Sequence, residues 1–301
     1  MNKIILFLLC FLLGSSFSTF AQGRDREIKI SRQQESPVKT VKVRGKGKIK
    51  NVVFMIGDGM SLAHMYSTWA ANKGKLNLEN CQTVGLAKTY CYDRLITDSG
   101  AAGTALATGH KTRYHAVGVD PEGKPLLTLT DLAAAKSKST GVVVTCRLND
   151  ATPAAFCAHN SDRDQAEALI ADYAGCGVDF IFGGGKRYFC ERKDGRNILE
   201  EMKALGYQTP ENQEQLDAIQ TGKVLAVWAD HDLPRPSVRK EMLTESTMKA
   251  LELLSQNKKG FFLMVEASQI DDYGHANQLD PLVEEILDFD RTIGKVFEWA
   301  A

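Results

Sequence analysis

Short apolar stretches alternate with amphipathic stretches along most of the chain, and this alternation is the strongest constraint on its fold. The apolar stretches are 52–56, 141–145, 178–182, 224–228 and 261–265. The helix-like stretches between and after them are 62–71, 166–173, 197–205, 240–254 and the segment from Pro281 onward. Continuous apolar strands separated by helices predict an α/β fold with a mostly parallel central sheet and helices on both faces. Ligands of such sheets bind beyond the carboxyl ends of the strands, so functional residues are expected there.

The charge balance excludes one broad class of function. The chain of 301 residues carries 37 Lys and Arg residues against 37 Asp and Glu residues, a formal net charge of +0. Without a basic excess, a protein gains little from releasing the counterions of nucleic acid, which argues against a nucleic-acid partner. The content of 44% hydrophobic and 25% charged residues is typical of a soluble globular protein and argues against disorder.

The N-terminal segment has the pattern of an export signal. Lys3 precedes an apolar run from Ile4 to Leu13, and the small residues Thr19 and Ala21 stand at the −3 and −1 positions of a cleavage site. The apolar run is too short for a membrane span. We therefore predict a signal peptide over 1–21, a periplasmic or secreted protein, and no membrane anchor after cleavage. Residues 22–50 are polar and are predicted to be a solvated leader, so the fold is expected to begin at Asn51.

Six cysteines remain after removal of the predicted signal peptide. They are Cys81, Cys91, Cys146, Cys157, Cys176 and Cys190. An even number in an oxidising compartment permits one to three disulfides, but the spacing assigns no pairs. Each cysteine fits equally well as a small buried apolar residue.

Two candidate functional segments lie in the first third of the chain. Asp58 directly follows the first apolar stretch and stands between two glycines, which permit a tight turn and the close approach of a ligand. The alternative is a turn residue that caps the helix beginning near Ser61. Ser99 follows Asp98 and precedes small residues suited to a helix N-terminus, where the local field favours an alkoxide and binds phosphate. The alternative for this Asp-Ser pair is an ordinary helix cap.

The third candidate segment begins at Asp150 and follows the stretch 141–145. Arg163 stands thirteen residues beyond Asp150. Thr152 is predicted to be the N-cap of a short helix with Pro153 at its first position.

The fourth candidate segment follows the last apolar stretch. Glu266 closes that stretch, and Asp271 and His275 come soon after it. Because Asp and His four residues apart lie on one helical face or on successive coils of a loop, they can chelate one divalent ion. Two carboxylates and an imidazole just past a buried strand are costly to place there without a cation.

The remaining histidines offer weaker signals. His231 follows Asp230 after the stretch 224–228 and could form a metal-binding pair, but the next residues indicate a surface turn and a solvated histidine. The others lack partners at ligand spacing and are expected to be surface or packed residues: His64, His110, His115 and His159.

The four candidate segments, in this order, resemble the alkaline phosphatase family of secreted metal-dependent phosphomonoesterases. The resemblance covers Asn51 to the end, and its motifs are Ile56-Gly57-Asp58-Gly59-Met60, Thr97-Asp98-Ser99, Asp150-Ala151-Thr152-Pro153-Ala154-Ala155, and Val265-Glu266 with Asp271 and His275. The family implies that Ser99 is the nucleophile, that Asp98 orients Arg163, and that Arg163 binds two phosphate oxygens. It implies hydrolysis of phosphate monoesters through a phosphoserine.

The same resemblance implies two zinc ions and one magnesium ion. The expected metal-site residues are Asp58, Asp150, Thr152, Glu266, Asp271 and His275. Asp58 would bridge one Zn²⁺ and the Mg²⁺, Thr152 and Glu266 would bind the Mg²⁺, and Asp150 would hold a magnesium-bound water. Asp271 and His275 would bind the other Zn²⁺.

The C-terminus is where the sequence departs from the family pattern. The chain stops at Ala301 within a helical pattern, before the later Asp-His pair and the further histidine that the family uses for zinc. We therefore expect 51–301 to be the N-terminal portion of an alkaline-phosphatase-like catalytic domain, with the C-terminal part of the fold missing and little or no turnover. The alternatives are a non-catalytic magnesium-binding fragment and a phosphodiesterase or sulfatase relative. The family also makes a homodimer an expectation.

Overall fold

A computed structural model of the chain describes residues 36–41 and 48–301. All described residues belong to one compact unit, Gln34–Ala301. The predicted signal peptide 1–21 and the leader residues 22–35 and 42–47 lie outside the described residues. Across the residues that are described, no helix combines the length and the hydrophobicity needed to cross a membrane.

The centre of this unit is a six-stranded, all-parallel sheet. Its strands are β1 Val52–Gly57, β2 Ser139–Arg147, β3 Phe180–Gly184, β4 Tyr207–Gln208, β5 Lys223–Val227 and β6 Phe261–Ala267. Their order across the sheet is β1-β6-β2-β3-β5-β4, and every pairing is parallel. All strands therefore end at the same edge, which confirms the predicted parallel sheet.

Helices surround the sheet. They are α1 Leu62–Ala71, α2 Ser99–Thr108, α3 Leu129–Ala135, α4 Ala151–Ala155, α5 Ala166–Cys176, α6 Lys186–Cys190, α7 Ile198–Ala204, α8 Gln213–Ala218, α9 Pro236–Arg239, α10 Met242–Leu254, α11 Gln269–His275 and α12 Leu279–Ala300. A short 3₁₀ helix spans Asn77–Asn80. Every residue of β3 and β6 is buried. Because successive side chains of a strand point to opposite faces, both faces of the sheet are covered, as predicted.

The leader segment 36–41 is attached to the body through three asparagine side chains. The backbone N–H groups of Ser36, Lys39 and Val41 donate to the amide oxygens of Asn72, Asn77 and Asn80 at 3.1, 3.3 and 2.9 Å, respectively. Ser36 is itself buried. This part of the leader is therefore hydrogen-bonded to the body, while Pro37, Lys39 and Thr40 remain exposed to solvent.

All six cysteines outside the predicted signal peptide are free thiols. The disulfides that their even number permits do not form in this structure. Cys91, Cys146 and Cys157 are buried, and Cys157 belongs to the main hydrophobic core. These three fit the alternative interpretation of small apolar core residues.

A buried ion-pair network ties the last helix to the strand ends. Arg239 donates to Glu285 Oε2 at 2.9 Å and to Asp288 Oδ2 at 2.7 Å, with all three side chains almost completely shielded from solvent. The hydroxyl of Thr145 donates to Glu285 Oε1 at 2.9 Å and accepts from the backbone N–H of Ser268 at 2.9 Å. Helix α12 is thereby connected to the ends of β2 and β6.

We expect Arg239→Met to lower the free energy of unfolding by about 3–5 kcal/mol, because it leaves two buried carboxylates without their cation. The measurement is urea denaturation followed by circular dichroism. Arg196→Met is the matched control, since Arg196 pairs with the carboxylate of Glu201 at the exposed surface and its loss should change stability little. Equal losses in the two variants would contradict the role of the network.

Candidate active site

Asp58 and Ser99 meet at the carboxyl end of β1. The Ser99 hydroxyl donates to Asp58 Oδ2 at 2.8 Å. The glycine that follows Asp58 is required, because Gly59 has φ +62° and a Cβ atom there would collide with the carboxylate of Asp271. Three of the predicted segments thus converge here, although they are far apart in sequence.

Arg163 joins two further carboxylates at the same edge. Its Nη1 donates to Asp98 Oδ2 at 3.0 Å, and its Nη2 donates to Asp150 Oδ1 at 2.9 Å. Asp98 is the N-cap of α2 and accepts from the backbone N–H groups of Gly100 and Ala101. Asp98 therefore forms the helix cap that was the alternative interpretation of the Asp-Ser pair. Its carboxylate also accepts a hydrogen bond from Arg163.

The helix that carries Thr152 begins two residues earlier than predicted. Asp150, not Thr152, is its N-cap, and its Oδ1 accepts from the N–H of Ala151 at 2.7 Å. The prediction of Thr152 as N-cap with Pro153 at the first position was therefore wrong. The carboxylate of Asp150 outcompetes the hydroxyl for the free N–H groups of the first turn. Thr152 is instead buried inside the helix, where it faces Glu266.

Glu266 lies beside Asp58 because of the strand register. In β6 it stands opposite Ile56 of β1, and the N–H of Asp58 donates to the carbonyl of Ala267. Glu266 is 1% exposed. Burial, reinforced by the charge of Asp58, raises the pKa of Glu266 well above its usual range, and the hydroxyls of Ser268 and Thr152 only partly oppose this.

The pKa of Asp58 is raised as well. Burial raises its pKa from 3.8 to about 6, the hydrogen bond from Ser99 opposes the rise, and the charges of Asp271 and Asp150 add to it. Buried carboxylates of like charge favour a cation among them. Carboxylate and hydroxyl oxygens are the donors that Mg²⁺ prefers, so Asp58, Glu266 and Thr152 fit a magnesium ion.

Asp271 and His275 lie on one face of α11, as predicted. His275 Nε2 is 3.4 Å from Asp271 Oδ2, and the His275 side chain is 82% exposed. One nitrogen and one oxygen donor on successive turns suit Zn²⁺. Asp271 also approaches Gly59, which places this pair next to Asp58.

A cluster that the sequence analysis missed lies on the other side of Arg163. His115 Nδ1 is 3.6 Å from Asp162 Oδ1 and 4.0 Å from Asp164 Oδ2. Within 36–41 and 48–301, these three are the group of His, Cys, Asp and Glu residues whose ligand atoms lie close enough to share an ion. His115 is far in sequence from the two aspartates, so no local spacing could reveal the group. The side chains are 39–76% exposed, which fits solvated charges.

Two more charged residues adjoin the site without having been singled out in the sequence. Arg147 contacts both Asp150 and Asp232. Asp232 lies in the bend after β5, where a surface turn was predicted, and it accepts hydrogen bonds from the side chain and backbone of Arg147. Its neighbour His231 is exposed and lies 3.2 Å from Arg187, in line with the predicted surface histidine.

Comparison with known proteins matches the chain to a family and to solved structures. The alkaline phosphatase family model matches residues 49–301. Alkaline phosphatase 4 of Bacillus subtilis (strain 168) is 37% identical over 285 residues, which are 89% of this chain and 61% of that protein. The alkaline phosphatase of the Antarctic bacterium TAB5 superimposes with a TM-score of 0.81 at 35% identity, covering 83% of this chain and 75% of that one.

A mutant of the TAB5 enzyme, solved with Mg bound, superimposes with a TM-score of 0.80 at 33% identity and covers 88% of this chain and 75% of that one. This chain spans about three-fifths of the length of the Bacillus relative.

In EDTA, we expect Asp58→Asn to stabilise the protein by about 2 kcal/mol above pH 6 and to have no such effect below pH 4. The folded-state pKa of Asp58 is raised, so its ionisation disfavours the folded state as the pH rises from 3.8 through about 6. Adding Mg²⁺ should reverse the order, because the wild type then binds the ion more tightly. The measurement is chemical denaturation over pH 3–8 with and without MgCl₂.

Asp93→Asn serves as the control of opposite sign. The N–H of Tyr114 lowers the pKa of Asp93, so this carboxylate contributes stability that is lost as the pH falls. A profile for Asp58→Asn that resembles that of Asp93→Asn, or equal stabilisation of wild type and Asp58→Asn by Mg²⁺, would contradict the assignment of Asp58.

Proposed function

Because this chain belongs to the alkaline phosphatase family, we propose that its site serves the hydrolysis of phosphate monoesters through a phosphoserine formed at Ser99. Little or no turnover by residues 51–301 stays a prediction, so the effects of the substitutions below are given relative to the rate of the wild type. The family match over 49–301 supports the reaction class. The observation that carries the residue assignment is the meeting of Ser99, Asp58 and Arg163 at one edge of the sheet. Phosphoryl transfer depends on placing charge around the phosphate, and these three side chains provide a hydroxyl, a carboxylate and a guanidinium.

Ser99 is oriented for attack by its hydrogen bond and its place in the helix. Its proton points at Asp58 Oδ2, so the lone pairs of Oγ remain free for the phosphorus atom. As the first residue of α2, Ser99 stands where the free backbone N–H groups of the helix create a positive field. That field favours both the developing alkoxide and the phosphate.

Arg163 is the phosphate-binding residue. The guanidinium group has five N–H donors, and its contacts to Asp98 and Asp150 occupy one on each Nη. The remaining donors can bind phosphate oxygens while the two carboxylates hold the group in place. Its side chain is 22% exposed, so a ligand can reach it from solvent.

The family resemblance implies the metal ligands, and the donor atoms of the described residues are compatible with them. Asp58, Thr152 and Glu266 would hold one Mg²⁺, with Asp150 nearby, and Asp58 would share one of two Zn²⁺ ions. Asp271 and His275 would hold the other Zn²⁺. When bound, these ions supply positive charge that offsets the clustered carboxylates and the charge developing on the entering and leaving oxygens.

The proposed reaction has two displacements at phosphorus. In the first, Ser99 Oγ bonds to phosphorus, the ester P–O bond breaks and the alcohol leaves with a proton. In the second, a water oxygen bonds to phosphorus, the bond to Oγ breaks, and phosphate leaves while Ser99 regains its proton. Arg163 holds the phosphoryl oxygens through both steps.

A second candidate is a magnesium-binding protein without turnover. Its support is that Thr152 and Glu266, two of the donors assigned to Mg²⁺, are buried, whereas Asp271 and His275 form an open pair with His275 82% exposed. The three-donor group found among the described residues lies elsewhere, at His115, Asp162 and Asp164. Mg²⁺ binding without hydrolysis would support this candidate.

The proposal also covers the export of the protein and its assembly into a dimer. We infer that residues 1–21 direct the chain to the periplasm or the medium, where phosphate monoesters are the substrates. A homodimer remains a prediction from the family resemblance.

With Zn²⁺ and Mg²⁺ present, Ser99→Ala should reduce the hydrolysis of p-nitrophenyl phosphate by about 10³-fold or more, because it removes the nucleophile. Peptide mass spectrometry after an acid quench should find a phosphoryl group on Ser99 in the wild type only. Ser255→Ala, which removes a hydroxyl at the exposed end of α10, is the control and should retain activity. Turnover by Ser99→Ala at the wild-type rate would rule out the proposal, and EDTA should abolish turnover in the wild type.

Arg163→Lys should lower kcat/KM for p-nitrophenyl phosphate by about 10- to 100-fold, because one ammonium group cannot contact two carboxylates and two phosphate oxygens at once. Inhibition by inorganic phosphate should weaken in parallel. The same assay with bis-p-nitrophenyl phosphate and p-nitrophenyl sulfate distinguishes the reaction classes. A wild-type preference for the diester or the sulfate would contradict a phosphomonoesterase.

A further inference from the structure

Arg147, the last residue of β2, sits between two aspartates at the edge of the site. Its Nη1 contacts both oxygens of Asp232, at 3.2 and 3.0 Å, and its Nη2 lies 3.2 Å from Asp150 Oδ2. The backbone N–H of Arg147 also donates to Asp232 Oδ1 at 2.8 Å. The guanidinium is therefore fixed on one side by Asp232 and directed at Asp150 on the other.

Asp150 is shared between two arginines. Its Oδ1 accepts from Arg163 at 2.9 Å and from the N–H of Ala151 at 2.7 Å, while its Oδ2 faces Arg147. Asp232, Arg147, Asp150, Arg163 and Asp98 thus form one continuous row of alternating charges. The orientation of Arg163 depends on how Asp150 is held.

The geometry points to Arg147 as a positioning residue for the phosphate site: it holds Asp150 so that Arg163 keeps N–H donors free for phosphate. This inference rests on the phosphate-binding role of Arg163 proposed above. With Arg147 present, Asp150 offers one oxygen to each arginine. Without Arg147, the carboxylate can rotate and bind Arg163 with both oxygens, which occupies donors that phosphate would otherwise use.

The location of Arg147 supports this role over a purely structural one. Its side chain is 34% exposed and that of Asp232 is 29% exposed, so the row borders solvent at the mouth of the site rather than filling the core. The buried ion pairs that join α12 to the strand ends involve Arg239 and do not include Arg147.

The test measures the binding of inorganic phosphate to the full chain, loaded with Zn²⁺ and Mg²⁺, by isothermal titration calorimetry. Arg147→Gln should raise the Kd about 10-fold. Arg147→Lys should give most of the same loss, because it keeps the charge but cannot contact Asp150 and Asp232 together. Arg196→Gln, which removes an exposed arginine from another carboxylate pair, is the matched control and should leave the Kd unchanged.

A double-mutant cycle separates positioning from a long-range charge effect. If Arg147 acts through Asp150, Arg147→Gln should change the Kd less than about 2-fold in an Asp150→Asn background. A 10-fold effect that persists in that background, full affinity of Arg147→Lys, or an unchanged Kd in Arg147→Gln would overturn the inference. Failure of the metal-loaded wild type to bind phosphate would instead overturn the proposed function, and this inference with it. Circular dichroism confirms that each variant is folded.

Discussion

The placement of two carboxylates on neighbouring strands is the constraint on which the rest of the site depends. The register of β1 against β6 sets Glu266 opposite Ile56, so Asp58 comes next to a buried glutamate. Burial raises the pKa of both carboxyls, the charge of Asp58 raises that of Glu266 further, and the charges of Asp271 and Asp150 add to the rise at Asp58. Such carboxyls either stay protonated or ionise beside a partner of opposite charge. The strand register therefore places two carboxyls that could bind a divalent cation beside Ser99.

The fold brings residues from distant parts of the chain together at this site. Because all six strands are parallel, β1, β2 and β6 end at one edge, where Asp58, Asp150 and Glu266 lie. Helices α2 and α4 pack closely there, since Gly103 leaves room for the backbone of Thr152. The buried ion pairs between Arg239 and α12 stabilise the same edge of the sheet. Stability and site geometry therefore share the same elements.

The sequence alone predicted the main strands and helices and the chain segments that meet at the site. Apolar runs predicted the parallel strands, because burial on both faces, as in β6, leaves a continuous apolar pattern. The first helix begins and ends at the predicted residues, although Thr68 is its one buried residue. Contacts between residues far apart in sequence leave no local pattern. The pairing of Arg147 with Asp232 and the grouping of His115 with Asp162 were therefore not predicted. Asp150 and Thr152 can both cap a helix, and the prediction chose Thr152 whereas Asp150 is the N-cap.

The central claim is that divalent ions occupy the space between the carboxylates at the ends of β1 and β6. Anomalous diffraction from crystals soaked in Mn²⁺, a stand-in for Mg²⁺ with oxygen ligands, tests it most directly. The account predicts an anomalous peak within coordinating distance of both Asp58 and Glu266. Ordered Mn²⁺ bound solely at His115, Asp162 and Asp164, with none beside Glu266, would contradict it.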